Sequence, residues 1–575
     1  MGAPAGEKVS PGREVVARAL GALGAAAAVA TAAGAAARFG SRWGAGHERL
    51  FAIADLALVA FFVADVALRL WLSPARLRHL RTRWFDLLVV GAVAVEASLG
   101  RWGWAWFLAR EVLSAGSAFR TTPFYRRLVS RLRLRPAGLL VGSFAAAIAV
   151  GTLLLALPVA TPGPGGLNIV DSLFTATSAT CVTGLIVRDT GRDFTLFGQL
   201  VILVLIQLGG LGIMTFSVSL VLALGRRLSK SREVVMRDVL DQESIEEVLS
   251  LVRFIAVATL VVEAAGAVAL FFGLGAHRGY SLRTAYEAIF HSVSAFCNAG
   301  FSLFSDSMMR YRGDLWVNLV MTALIIVGGL GFPVLRDLVT TLSGRKQAGG
   351  RAPRLRTHTK LVLTTSLVLI AAGGALFYAA EWDGCLAGMS AREKILACYF
   401  QSVTARTAGF NTVEIGGLGG AALVALMCLM FIGASPGSTG GGVKTTTFAI
   451  LVQAMRTSLR RRPEVEMFRR TLPSEVVRRA VALVVLAAFL VVATMIALMC
   501  VERQPFHVLA FETFSAFGTV GLSAGATPNL TTAGRLIITG LMFAGRLGPL
   551  TLALWLLGEA RPAAYRYPEE RVMVG

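Results

Sequence analysis

Four short strings in this 575-residue chain could do the same chemistry: Cys181-Val-Thr-Gly184, Cys297-Asn-Ala-Gly300, Arg406-Thr-Ala-Gly409 and Gly518-Thr-Val-Gly521. Each glycine follows an aromatic residue by ten positions (Phe174, Phe290, Tyr399, Phe511), and each is followed by Leu185, Phe301, Phe410 or Leu522. Glycine lets the backbone take conformations closed to other residues, so a Thr-Gly, Ala-Gly or Val-Gly step can turn its carbonyls inward. A ring of such carbonyls replaces the hydration shell of a cation. A unit repeated four times is what a ring on a central axis requires, and it implies a pore. The candidate ion-binding residues are therefore Cys181, Val182, Thr183, Gly184, Cys297, Asn298, Ala299, Gly300, Arg406, Thr407, Ala408, Gly409, Gly518, Thr519, Val520 and Gly521. Arg406 stands inside a string where its charge would repel a cation, so its side chain is expected behind the loop.

The elements that must hold these strings follow from hydropathy. The chain is 55% hydrophobic and 16% charged, a composition outside the soluble globular range. Apolar runs of bilayer-spanning length recur along it. Each repeat reads as an apolar helix, a short apolar segment and a second apolar helix. In repeat one these lie near Ala137–Leu157, Ile169–Thr180 and Phe194–Leu224. In the others the first helices lie near 248–274, 360–380 and 475–501, and the second near 314–342, 418–455 and 531–558. The segment before each string is too short to span and is expected to be re-entrant, since non-helical backbone at membrane depth persists only where protein buries it or water wets it. A half-helix entering from outside points the negative end of its dipole at the membrane centre, which favours a cation.

The net charge of +22 suggests nucleic acid in a soluble protein. Here the arginines cluster between apolar runs (Arg226, Arg227, Arg232 and Arg237; Arg345, Arg351, Arg354 and Arg356; Arg460, Arg461, Arg462, Arg469 and Arg470). That is the positive-inside pattern of a multi-pass cell-membrane protein with cytoplasmic inter-repeat loops, in contact with lipid and not with nucleic acid. Cys181, Cys297, Cys385, Cys398, Cys428 and Cys500 show no metal spacing. The alanine-rich start, Arg13 to Arg38, lacks a clear cleavage site and reads as a retained helix.

A second constellation interrupts the second helix of repeat three. Gly433, Ser435, Pro436, Gly437, Ser438, Thr439, Gly440, Gly441 and Gly442 disfavour helix, so the segment should unwind near the membrane midplane into a movable obstruction below the strings. Small-residue breaks are expected in the other second helices at Gly209-Gly210-Leu-Gly212, Gly328-Gly329-Leu-Gly331 and Gly545-Arg-Leu-Gly548. Arg546 lies at a depth where an arginine must face protein or water. Lys444 is expected to anchor the end of the loop. Gly433-Ala-Ser-Pro-Gly437 also matches the nucleophile-elbow pattern, but no strand surrounds it and a proline follows the serine, so a hydrolase using Ser435 with His291 or His507 is disfavoured and no enzyme is expected.

With these motifs in place, residues 137–560 resemble the Trk/Ktr/HKT superfamily of potassium transporters, most closely its Ktr-type (KtrB/TrkH-like) membrane subunit. The most specific stretch is Phe431-Ile-Gly-Ala-Ser-Pro-Gly-Ser-Thr-Gly-Gly-Gly-Val-Lys-Thr-Thr-Thr447. The resemblance implies an all-α membrane fold of four M1–P–M2 units around one pore, with Gly184, Gly300, Gly409 and Gly521 as filter glycines. Glycine at all four favours potassium over sodium. It further implies Gly433–Gly442 as an intramembrane gate with Arg546 as a barrier beneath the filter, and a homodimer. A cytosolic RCK ring (KtrA/TrkA-like) would regulate transport, so that a nucleotide, ATP/ADP or NAD(H), enters only through that partner. The chain itself is expected to carry no cofactor, with K+ as the transported ion. The alternative is a non-conducting membrane scaffold or sensor on the same fold. Channel and cation-coupled transport both stay open.

These readings divide the chain into 1–135, 136–240, 241–347, 348–470 and 471–575. Residues 1–135 lie outside the resemblance and are expected to form four helices. Phe62, Asp65 and Arg69 share a helix face, and Trp84-Phe-Asp86 opens the next helix, which is similar to voltage-sensor-like domains. The fourth segment departs from that pattern: Arg110 and Arg120 are ten apart and no arginine ladder crosses the membrane. A structural or assembly role is favoured there over voltage or ligand modulation.

Overall fold

The computed structural model describes residues 136–163, 166–223, 245–343, 354–557 and 570. The sensor-like residues Phe62, Asp65, Arg69 and Asp86, with all of 1–135, lie outside the described residues. So do most of the arginines between repeats one and two. Apart from Leu157–Val159 and Gly163, the described residues belong to one compact unit.

The unit is built from helices in four successive sets. Set one is α1 (Pro136–Leu155), α2 (Ile169–Thr180) and α3 (Leu196–Ala223). Set two is α4 (Ile245–Arg278), α5 (Leu282–Phe296), α6 (Leu315–Leu330) and α7 (Phe332–Leu342). Set three is α8 (Thr357–Glu381), α9 (Ala391–Thr404), α10 (Gly420–Phe431) and α11 (Thr445–Leu459), followed by a small hairpin of β1 (Glu466–Met467) and β2 (Arg470–Thr471) that hydropathy did not announce. Set four is α12 (Ser474–Val501), α13 (Phe506–Gly518), α14 (Thr532–Leu547) and α15 (Pro549–Leu557).

In sets one, two and four the three principal helices pack on one another, and in set three α8 packs on α9, α10 and α11. Between sets, the second long helix packs on the short helix of the next: α3 on α5, α6 on α9, α10 on α13, and α14 back on α2. That last contact closes the chain into a ring. Ion pairs across set boundaries reinforce it at the ends of the short helices. Asp171 receives both Arg188 at 3.3 Å and Arg535 of set four, and Arg312 reaches Glu393 at 3.6 Å.

The exterior is apolar as well as the core, while hydroxyls gather on the short helices inside. The first helices α4, α8 and α12 are each long and apolar enough to cross a membrane, with mean hydropathy of 2.3, 2.0 and 3.0. They leave Leu260, Val261, Phe272, Leu367, Val368, Val485 and Phe489 exposed, a surface suited to acyl chains. The short helices instead bury their hydroxyls: Ser172, Thr175, Thr177, Ser178 and Thr180 on α2 are all enclosed. The aromatic residues ten positions before the glycines lie in this interior, with Phe174, Phe290 and Phe511 fully buried.

Local chemistry starts and stops the short helices. Asn168, Ser281 and Ser390 cap α2, α5 and α9 by accepting from the backbone N–H of Val170, Thr284 and Glu393, and Ser390 closes a capping box with Glu393. The second long helices are less uniform than their small residues suggest. Gly331, at φ +92°, separates α6 from α7 with a 101° bend, and Gly548 separates α14 from α15. In set one, however, α3 runs unbroken through Gly209-Gly210-Leu-Gly212. The small residues there serve close packing instead: a Cβ on Gly209 would lie 2.0 Å from the Thr180 carbonyl oxygen at the end of α2.

Candidate ion pathway

The four strings leave the ends of α2, α5, α9 and α13 in one backbone shape. Val182, Asn298, Thr407 and Thr519 all have positive φ, between 50° and 76°, and two residues later Gly184, Gly300, Gly409 and Gly521 do so again, between 71° and 93°. A non-glycine residue in this region costs about 1–3 kcal/mol and persists only where its surroundings fix it. Four equivalent positions sharing that strain indicate one constrained structure made four times.

The strings meet in a closed circuit. A Cβ built on Gly184 would lie 2.4 Å from the Ala299 oxygen, one on Gly300 2.8 Å from the Ala408 oxygen, and one on Gly409 2.3 Å from the Val520 oxygen. One on Gly521 would lie 2.2 Å from the Thr183 oxygen, which completes the loop. The circuit thus brings together Thr183, Gly184, Ala299, Gly300, Ala408, Gly409, Val520 and Gly521. The hydroxyls of Thr183 and Thr519 are buried without a protein partner among the described residues. Asn298 and Thr407 are joined across sets: the Asn298 amide oxygen accepts from the Thr407 hydroxyl at 3.2 Å, while its nitrogen donates to the Ala295 and Ile325 carbonyls. Cys181 and Cys297 sit one step back, as the C-caps of α2 and α5, and Gly518 is the last residue of α13.

Arg406 turns away from this circuit. Its buried guanidinium donates to the carbonyl and hydroxyl oxygens of Ser366 on α8, at 3.4 and 3.2 Å. Only its backbone belongs to the string.

A set of hydroxyls behind the strings escaped the sequence reading. Ser178 donates to the Leu185 carbonyl at 2.7 Å, Ser294 to Phe301 at 2.7 Å and Thr404 to Phe410 at 2.7 Å, while Ser515 accepts from the Gly521 N–H at 3.1 Å. Each ties the residue at or just after the glycine to its own short helix. The signal was present as a Ser or Thr five or six positions before each glycine. Glu263 and Gln207 were missed as well. The Cys297 thiol lies 3.8 Å from the Glu263 carboxylate and 3.6 Å from the Gln207 amide oxygen, so an acid inside an apolar run stands directly behind the second string.

Between Phe431 and Thr445 the second long helix of set three is unwound. The loop is held as a small folded unit: Gly433 N–H donates to the Val443 carbonyl at 2.9 Å, and the Thr445 hydroxyl donates to that of Ser435 at 3.0 Å. Lys444 donates to the Gly440 and Gly441 carbonyls at 2.8 and 3.4 Å. The loop also docks on set two. The N–H groups of Ser435 and Thr439 donate to the carbonyls of Gly329 and Gly328 at 3.1 and 3.3 Å, and Phe332 N–H donates to the Gly437 carbonyl at 2.9 Å. A Cβ on Gly331 would lie 2.5 Å from the Pro436 oxygen, so loop and bend fit as one. Ser438 is buried and its hydroxyl has no partner among the described residues. Gly442, at φ +68°, turns the chain back into α11.

The loop lies against the strings themselves. A Cβ on Gly440 would come within 2.1 Å of the Thr407 hydroxyl, and one on Gly441 within 2.4 Å of the Thr519 hydroxyl. From set four, the buried Arg546 guanidinium donates both to the Thr439 carbonyl of the loop and to the Gly209 carbonyl of α3. One side chain therefore joins three sets, next to the loop that lies against the strings.

Two residues of the disfavoured hydrolase reading are engaged otherwise, and the third, His507, is exposed. His291 is fully buried, stacked on Phe304 at 4.5 Å with its ring nitrogens 2.7 Å from the Glu287 carbonyl oxygen and 3.0 Å from the Ser302 hydroxyl. Ser435 pairs with Thr445.

Residues 164–558 match the family model described as TrkH, cation transport protein. The chain is 41% identical to Ktr system potassium uptake protein B of Bacillus subtilis over 78% of its own length and 99% of that protein. It is 37% identical to potassium/sodium uptake protein NtpJ of Enterococcus hirae, over 77% and 98%. Its fold is similar to that of the potassium transporter TrkH from Vibrio parahaemolyticus, with a TM-score of 0.62 at 20% identity, covering 84% of this chain and 97% of that one. The match over most of the chain, together with relatives aligned almost end to end, shows that the chain belongs to the TrkH family of cation transport proteins, integral membrane transporters and not enzymes.

Proposed function

We propose that this protein is a potassium-translocating membrane subunit that carries K+ through the circuit of Gly184, Gly300, Gly409 and Gly521. The observation that carries the reading is the closed circuit of these four strings, in which a Cβ on each glycine would lie only 2.2 to 2.8 Å from a backbone oxygen of the next. Four carbonyl-bearing backbones on one axis, with four short helices ending there, favour a dehydrated cation over an anion. Glycine at all four positions, and relatives named for potassium uptake, support K+ as the cargo.

On this reading the Gly433–Gly442 loop is the gate. It lies against Thr407 and Thr519 and is latched by Arg546. Arg546 adds a positive charge beneath the ring, so the loop and the arginine together obstruct a cation's exit. Opening requires that the Thr439–Arg546 contact and the contacts to Gly328 and Gly329 be exchanged for others. A cytosolic partner acting on the arginine-rich loops that bracket α8 and α11 supplies the differential contacts for that exchange. By the resemblance this partner is a nucleotide-binding RCK ring, and the membrane subunit works as a homodimer.

Rubidium uptake into vesicles holding the purified full-length chain tests the reading. Uptake driven by an inward gradient and competed by K+ more strongly than by Na+ is the expected result. Absence of flux both alone and with an RCK partner would instead make the chain a non-conducting scaffold.

A further inference from the structure

At the arginine-rich end of set three, an apolar groove and a basic pocket share one wall. The groove, of about 360 Å³, runs between α8 and α11 past Leu361, Val368, Phe448 and Val452. The pocket, of about 290 Å³, is ringed by Arg456, Arg460, Arg462 and Arg469. Gln453, Arg456, Glu466 and Phe468 line both. The shared wall is built and not a loose tail: the Gln453 amide donates to the Glu466 carbonyl at 2.8 Å, and the hairpin pairs Glu466 with Thr471.

Charge at this pocket is not balanced within the protein. Glu464 and Glu466 are the acids in its lining. Arg462 reaches Glu466 at 3.8 Å, whereas Arg456, Arg460 and Arg469 have no acidic partner within ion-pair distance among the described residues. The groove opens onto the apolar exterior, where Val368 and Met455 are more than half exposed, and Leu459 and Phe468 flank the arginines. An occupant must therefore be amphipathic, with an apolar tail at groove depth and an anionic group at the arginines. A free phosphate would use only the pocket, and a neutral lipid only the groove.

We propose that this is a binding site for an anionic phospholipid, with an acyl chain between α8 and α11 and its phosphodiester among Arg456, Arg460 and Arg469. Guanidinium forks match phosphate oxygens, and basic pockets between membrane helices on the positive-inside face hold anionic headgroups. The lipid would brace α11, which begins at Thr445 immediately after the unwound loop. The site stands whether or not that loop is a gate.

The test is native mass spectrometry of the full-length protein during stepwise delipidation, with phosphatidylglycerol and phosphatidylcholine of identical acyl chains as probes. The unmodified protein is expected to retain phosphatidylglycerol after phosphatidylcholine is lost. Replacing both Arg456 and Arg469 by Gln should weaken that retention by roughly fivefold for each arginine removed, with the two Lys replacements falling closer to the unmodified protein. Val452→Trp, which fills the groove, should weaken retention of both lipids. Equal retention of the two lipids by the unmodified protein would overturn the proposal, even if no variant folded. Unchanged retention in the Gln variant would also overturn it. So would displacement by inorganic phosphate with no effect of Val452→Trp, which would mean a free-anion pocket. A Val452→Trp protein that loses dimers but keeps its lipid would show that a second copy covers the groove.

Discussion

Arg546 donates its guanidinium to the backbone carbonyl of Thr439, a residue 107 positions earlier in the chain and in a different repeat. The same guanidinium holds the Gly209 carbonyl on α3. These two bonds join the fourth repeat, the unwound loop of the third and the second long helix of the first. A hydrogen bond from a charged donor contributes about 1.5–3 kcal/mol, and on the proposed gating that energy must be given up when the loop moves.

Arg546→Gln removes the charge and the fork while keeping a polar side chain. The expected outcome is faster rubidium uptake without an activating partner, by roughly ten- to a hundredfold, the scale of a lost charged hydrogen bond to the loop. Arg546→Lys keeps the charge but cannot reach both carbonyls with a planar fork, so its uptake should fall between the two. Uptake unchanged in Arg546→Gln would show that the latch does not limit flux.

Gly184→Ala places a methyl group 2.4 Å from the Ala299 oxygen at a backbone φ of +88°. Both the contact and the conformation are unfavourable, at about 1–3 kcal/mol for the backbone alone. The Rb+ over Na+ preference in vesicle uptake should drop by roughly tenfold or more at that cost. A preference equal to the unmodified protein's would remove Gly184 from the ion pathway.

The hydroxyls behind the strings should matter to selectivity more than to folding. Ser294→Ala deletes the 2.7 Å bond to the Phe301 carbonyl, a loss of about 1 kcal/mol. We expect a several-fold lower Rb+ over Na+ preference with near-normal thermal stability, and recovery in Ser294→Thr. A fall in melting temperature with preference intact would make the serine a folding residue only.

Arg406→Gln provides the converse. The guanidinium serves Ser366 on α8 and not the circuit, so the variant should melt at lower temperature yet keep its ion preference. A shifted preference would place the Arg406 charge within reach of the ions.

Much of this architecture was legible in the chain because its signals are local. Apolar runs fixed the long helices to within a few residues: α2 lies where Ile169–Thr180 was expected, and α12 differs from 475–501 by one residue. Five glycines and a proline between Gly433 and Gly442 cannot sustain a helix, and the chain unwinds there. The same reasoning misjudged Gly209-Gly210-Leu-Gly212. Glycine weakens a helix without breaking it when packing supplies the rest, and at Gly209 the approach of the α2 end does so. The hairpin at Glu466–Thr471 was illegible because its two-residue strands carry no period.

By itself the sequence determined that four equivalent glycine strings exist, that each follows a short buried helix, and that the third repeat is unwound between Gly433 and Gly442. These follow from the steric freedom of glycine and from the length of apolar runs, both properties of neighbours in the chain. Only the tertiary structure decided that Gly521 closes back on Thr183, that Asn298 pairs with Thr407, and that Arg546 reaches Thr439 and Gly209 while Arg406 faces Ser366. Residues a hundred or more positions apart meet only where helix packing brings them together, so the direction in which a buried arginine points depends on which carbonyls that packing leaves within its reach.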